Sequence, residues 1–202
     1  MMAADGDMLD SNMNKIAIRI NTMWHEARLG ISTRGTQAID YPDAVFYATM
    51  PYPALERCLD HLNIQVNDTF VDIGCGKGRM LCLAARRQLR GVVGVDVSGE
   101  LCDIARSNAL KLRGKRTAIT VHQSSAEQFD YSSATVFFLF NPFHEKTLDA
   151  TLTKIRADLQ TSARFAYATP TFHDVFVQHG FELANQMDSV NYYRLGTSQL
   201  FR

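Results

Sequence analysis

The residues with the clearest chemical potential stand in Val71-Asp72-Ile73-Gly74-Cys75-Gly76-Lys77-Gly78-Arg79, an apolar run that breaks into three alternating glycines before a helical pattern begins. Glycines at such a break supply positive φ and let a ligand approach the backbone closely. Two phosphate-binding patterns fail the spacing. A P-loop needs G-x-x-x-x-G-K-[ST], and no glycine stands at the required offset before a Gly-Lys-Ser or Gly-Lys-Thr. The dinucleotide fingerprint G-x-G-x-x-G needs a glycine at 79, where the chain has arginine and the third glycine comes one residue early. For the glycines alone, a tight strand-to-helix turn is the plain alternative.

The G-x-G-x-G run with an aspartate two residues ahead resembles motif I of class I S-adenosylmethionine-dependent methyltransferases. In that family the glycines pass under the methionine part of the cofactor, and an acidic residue ends the next strand. Asp96, in Gly91 to Val97 (GVVGVDV), holds that place, where a carboxylate can accept both ribose hydroxyls. The resemblance thus implies S-adenosyl-L-methionine as cofactor, with Asp72, Gly74, Gly76, Gly78, Asp96 and Val97 around it.

Two further matches follow the next strands. Ser124-Ser125-Ala126-Glu127 stands where the family often has a Gly-Asp-Ala-like turn touching the adenine edge; Ser125 replaces the aspartate, and its hydroxyl can still accept a hydrogen bond. Asn141-Pro142-Phe143 stands in the place of motif IV, one proline short of the N-P-P-aromatic of amino-methylating members. The resemblance implies Asn141 beside the cofactor and acceptor, Phe143 as an apolar wall, and Tyr47 closing the opposite side. The segments LGISTRGT (29–36) and YATMPY (47–52) are similar to stretches ahead of motif I in small, mostly uncharacterised bacterial methyltransferases, with Ala48 where a glutamate is expected. Ala168-Thr169-Pro170 with His173 continues that similarity, and a more distant likeness runs to the non-SET protein lysine methyltransferases.

These residues need a scaffold, and the periodicities describe one. Met13, Ile16, Ile20, Met23, Trp24 and Ala27 recur at helical spacing, predicting an amphipathic helix from Asn12 to Leu29 that ends at Gly30. Residues 31–53, rich in proline and aromatics, read as an ordered arm, and 54–62 as a helix. Strands are predicted at 70–73, 91–97, 118–122, 135–140 and 164–168, and helices at 79–90, after Ser98, at 146–159 and at 172–179. The tail alternates through 181–187 and 192–201 as an antiparallel pair. Strands alternating with helices mean a doubly wound α/β sheet with its ligand beyond the strands' carboxyl ends. The family resemblance implies a Rossmann-like methyltransferase fold of about seven strands, the last antiparallel. The expected division is an N-terminal helix and arm over the cofactor cleft (1–53) and the methyltransferase domain (54–202).

Composition bounds the rest. The 202 residues are 46% hydrophobic and 21% charged, which supports one folded core with an extension. The 21 basic and 21 acidic residues cancel, so the runs Arg86, Arg87, Arg90 and Lys111, Arg113, Lys115, Arg116 lack the overall basic footprint of a nucleic-acid binder. No apolar run reaches the 18 or so residues of a membrane helix and the acidic start is unlike a signal peptide, so a cytoplasmic protein is expected. Cys58, Cys75, Cys82 and Cys102 show no metal or disulfide spacing, and no metal is expected. Displacement at a sulfonium releases a neutral thioether and depends on alignment. Asn141 can accept from an amine but cannot deprotonate a hydroxyl; a hydroxyl acceptor would turn to His144 or His173 as base. The expected reaction is methylation of an amine nitrogen on a small molecule or a protein lysine. The alternatives are O-methylation of a small molecule, cofactor binding without catalysis, and an NAD-dependent reductase.

Overall fold

The computed structural model describes residues 4–38, 43–45 and 47–196, with side chains described from residue 15 onward. The expected strand end at Phe201, Pro42 in the arm and the side chain of Met13 lie outside the described residues.

The core is a seven-stranded sheet built from β1 (Thr69–Ile73), β2 (Gly91–Asp96), β3 (Ile119–Gln123), β4 (Val136–Phe140), β5 (Ala163–Ala168), β6 (Glu182–Met187) and β7 (Val190–Leu195). Their spatial order is β3-β2-β1-β4-β5-β7-β6. The first five pair in parallel, and β7 enters antiparallel between β5 and β6. The chain order reverses beside β1, which opens a crevice between the carboxyl ends of β1 and β4. All five residues of β1 are buried, as a strand covered on both faces requires. One face packs Phe70, Phe138 and Leu81, and the other packs Val71, Phe137 and Phe165, with the last two rings stacked at 4.4 Å. The β6–β7 turn is Asp188-Ser189, both at positive φ, the backbone a two-residue hairpin demands.

The helices are α1 (Ala4–Leu29), α2 (Tyr52–His61), α3 (Arg79–Ala84), α4 (Gly99–Lys111), α5 (Glu145–Asp158) and α6 (His173–Gln178). Ser98 caps α4, its hydroxyl accepting from the Leu101 amide at 3.3 Å. Gly30 ends α1 at φ +77, where its amide donates to the Glu26 carbonyl at 2.8 Å.

Two helices differ from the sequence expectation. The apolar stripe of α1 faces away from the domain: Ile16, Ile20, Met23 and Trp24 are 55–62% exposed, while Thr22, Glu26 and Leu29 are buried. The side that packs is chosen by Glu26, which accepts from the Thr33 amide (2.7 Å) and hydroxyl (2.9 Å) and pairs with Arg34 and Arg79. Helix α3 stops at Ala84 rather than running to Arg90. The Thr117 hydroxyl donates to the Arg87 carbonyl and accepts from the Leu89 amide, pulling this stretch into a turn.

Candidate active site

A cavity of about 300 Å³ lies beyond the carboxyl ends of β1, β2 and β4. Asp72, Gly74, Asp96, Val97, Ala126, Asn141, Phe143 and Tyr47 line it, so segments far apart in sequence meet around one cavity. Gly76, Gly78 and Ser125 do not line it.

The glycine loop is shaped by protein neighbours. Gly74, Gly76 and Gly78 all have positive φ, at +74, +52 and +80. A Cβ on Gly74 would fall 2.4 Å from Pro142 Cβ, and one on Gly76 would fall 2.3 Å from the Tyr47 ring. One on Gly78 would meet Ala105 of α4 at 3.2 Å. The close approach these glycines allow is therefore made to the loop after β4, to the arm and to α4.

Asp96 organises this loop. One carboxylate oxygen accepts from the Gly76 amide at 2.8 Å and the other from the Ser98 amide at 2.9 Å. Each oxygen keeps a lone pair for a further donor. Burial raises the Asp96 carboxyl above its ordinary pKa, opposed by these backbone N–H groups. Asp72 is raised further, by burial first and then by the neighbouring Asp96 charge. Its carboxylate accepts no hydrogen bond among the described residues.

That elevation has a stability consequence. Below the ordinary carboxylate pKa, Asp72 is neutral in both folded and unfolded chains. Between the ordinary and raised values the unfolded chain has lost the proton that the native protein holds, so stability falls as pH rises through that window. Asp72→Asn should raise the melting temperature of the ligand-free protein at neutral pH and flatten its decline above the carboxylate range. A melting curve unchanged between wild type and variant across pH 4 to 8 would refute this.

The arm is docked on the loop. The Tyr47 hydroxyl donates to the Thr33 carbonyl at 2.7 Å, so its ring, and not its phenol, faces the cavity. Lys77 Nζ donates to the Arg34 carbonyl and lies 4.9 Å from the Tyr47 ring centroid. Farther along, Ala44 bridges to Phe143, and the Val45 amide donates to the Pro142 carbonyl at 3.0 Å. Arg79, absent from the sequence expectation, lines the cavity and ties the arm to α3 by donating to the Thr33 hydroxyl and the Met50 carbonyl.

At the end of β4, Asn141 adopts φ +40 and its Oδ1 accepts from the Tyr167 hydroxyl at 2.8 Å. Burial pushes the Tyr167 phenol up to about 12, so it stays a donor at neutral pH. Neither candidate histidine reaches the cavity wall. The His144 ring stands against Phe172, and His173 Nδ1 is 2.7 Å from the Tyr193 hydroxyl. After β3 the wall is Ser124, Ala126 and Glu127, whereas the Ser125 hydroxyl is buried without a partner. A buried oxygen of Glu127, Oε2, also lacks one. A four-residue turn presents only some of its side chains to one side, and sequence alone does not say which.

A parallel sheet with a single reversed strand, a glycine loop under an arm, and acidic residues ending the first two strands define a class I methyltransferase architecture. Residues 70–162, the stretch that carries the glycine loop, Asp96 and Asn141, match the family model described as a methyltransferase domain. It is 31% identical over 102 residues to the histone-lysine N-methyltransferase, H3 lysine-79 specific, of Dictyostelium discoideum, a match covering 44% of this chain and 6% of that protein. It is 28% identical over 103 residues to a protein-lysine N-methyltransferase of Saccharolobus islandicus, covering 50% of this chain and 63% of that protein. The chain thus spans less than two thirds of these curated relatives. The crystal structure of an RNA methyltransferase from Salinibacter ruber in complex with S-adenosyl-L-homocysteine shares the fold at a TM-score of 0.56 and 22% identity, covering 74% of this chain and 93% of that one.

Among the described residues, no group of histidines, cysteines and carboxylates could hold a metal, and no helix is long and apolar enough to cross a membrane. All four cysteines are free and buried.

Proposed function

We propose that the chain transfers the methyl group of S-adenosylmethionine to an amine nitrogen, on a protein lysine or a small amine. The unmatched acceptors of the cavity fit that cofactor. Asp72 has no donor, Glu127 Oε2 is orphaned, and Asp96 keeps free lone pairs, which suits a cationic molecule carrying an ammonium, an exocyclic amine and a ribose diol. Bound there, the cofactor supplies an electrophilic methyl. The N–C bond would form as the C–S bond breaks, the thioether would leave uncharged, and the methylated ammonium would release its proton once it has left the site for bulk water.

The observation that carries the nitrogen assignment is the identity of the polar group at the end of β4. Asn141 lines the cavity with its amide carbonyl held by the Tyr167 hydroxyl, and no histidine lines that wall. A neutral amine needs an acceptor that orients its lone pair, whereas a hydroxyl needs a base. Phe143 and Phe140 flank Asn141 as apolar walls that exclude water. The two relatives named above modify lysine by their names, which supports an amine acceptor.

Asn141→Ala should lower turnover by about 10²-fold, the size of losing one positioned polar group, while affinity for S-adenosylhomocysteine changes little. Tyr167→Phe, which releases Asn141 without removing it, should show a smaller loss of the same kind. Label from methyl-tritiated S-adenosylmethionine should be recovered as methylated nitrogen. Full activity of Asn141→Ala, or label on oxygen or carbon, would overturn the assignment.

A further inference from the structure

Most side chains of the two basic runs outside the cleft are exposed, but the runs meet in space. The runs at 86–90 and 111–116 are brought together where the Arg116 and Thr117 amides donate to the Ala85 carbonyl at 2.8 and 3.0 Å. Between them lies a second cavity of about 370 Å³, lined by Glu56 and Leu59 of α2, Leu83, Arg86 and Arg87, Gly114 and Arg116. Arg116 precedes β3 and Arg86 follows α3, so this cavity sits at the amino ends of the strands, opposite the cleft at their carboxyl ends.

Its charge is poorly matched within the protein. Arg87 pairs with the exposed Asp60. Arg86 and Arg116 make no ion pair among the described residues, and Arg86 Nε is buried with no acceptor. A buried guanidinium N–H left unmade is costly, more so than a neutral donor. Gly114, at φ +73, keeps the space beside that nitrogen open, since a Cβ there would stand 3.5 Å from it. With Arg87 matched by Asp60, the two guanidiniums of Arg86 and Arg116 that lack an ion pair, against the one lining carboxylate Glu56, suit a tetrahedral anion in sign and in the planar fork geometry of arginine.

We propose that this hollow binds a phosphate or diphosphate group, with Arg86 and Arg116 as its principal donors. The group is a free small phosphate or part of a nucleic-acid backbone, and two probes separate these sources.

Inorganic pyrophosphate and a single-stranded oligonucleotide are titrated calorimetrically into the full chain at fixed ionic strength. Saturable one-to-one binding of pyrophosphate is expected, weakened about tenfold by Arg86→Gln and by Arg116→Gln, the loss of one charge-assisted contact. Glu56→Gln should tighten it severalfold. Lys111→Gln, an equal loss of charge on the exposed end of α4, should leave it unchanged. Thermal melts of each variant verify the fold, and Glu56→Gln keeps the test decisive if an arginine variant does not fold. An oligonucleotide that displaces pyrophosphate assigns the group to nucleic acid; pyrophosphate that it cannot displace assigns it to a small ligand. No saturable binding of either probe, or an equal loss in Lys111→Gln, overturns the proposal.

Discussion

Asp96→Ala should weaken S-adenosylhomocysteine binding by about 1.5–3 kcal/mol, roughly ten- to 150-fold, because it removes a charged acceptor from donors that stay in a water-poor site. Two effects combine. The cofactor would lose the acceptor proposed for its ribose diol, and the Gly76 amide loses the acceptor that holds it at 2.8 Å. Asp96→Asn separates them, since its carbonyl can still take one backbone N–H while its amide nitrogen cannot accept. Asn should therefore restore part of the loop's order and little of the affinity. Calorimetry on the three proteins checks this, and equal affinity in wild type and alanine variant would remove Asp96 from the cofactor site.

Gly76→Ala should be the most damaging small substitution in the chain. The new methyl would need the space held by the Tyr47 ring, 2.3 Å away, in a backbone at φ +52 that alanine adopts at a cost of about 1 kcal/mol. Expelling a buried tyrosine adds about 2 kcal/mol or more, so a total near 3 kcal/mol and a melting temperature lower by about 6–12 °C are expected. The damage should be coupled. Tyr47→Ala removes the obstacle, and the double variant should be more stable than the two single losses predict by about 1 kcal/mol or more. Additive losses would mean that the arm does not rest on the loop as described.

These expectations show what was legible before the fold was known. Strand, glycines and helix were readable at 69–84 because buried strands are short apolar runs and positive φ demands glycine. Asp96 was readable because the next strand ends on it. The neighbours of the glycines were not. Pro142 and Tyr47 arrive from 68 residues after Gly74 and 29 before Gly76, and only topology brings them there. Likewise the spacing of Ile16, Ile20, Met23 and Trp24 places them on one side of α1 without saying on which side the domain lies. Glu26, one buried carboxylate with three partners, decides it. The early end of α3 rests on Thr117, more than thirty residues after the helix ends, a bond no local pattern announces.

The central claim is that the cleft holds S-adenosylmethionine, and a thermal-shift panel of S-adenosylmethionine, S-adenosylhomocysteine, NAD and NADP tests it most directly. A ligand present at about a hundred times its Kd adds about 2.7 kcal/mol, which is about 5–11 °C for a chain of this length. The two sulfur nucleosides should raise the melting temperature by that amount, and the shift should vanish in Asp96→Ala. Protection by NAD or NADP with none from S-adenosylmethionine or S-adenosylhomocysteine would contradict the account.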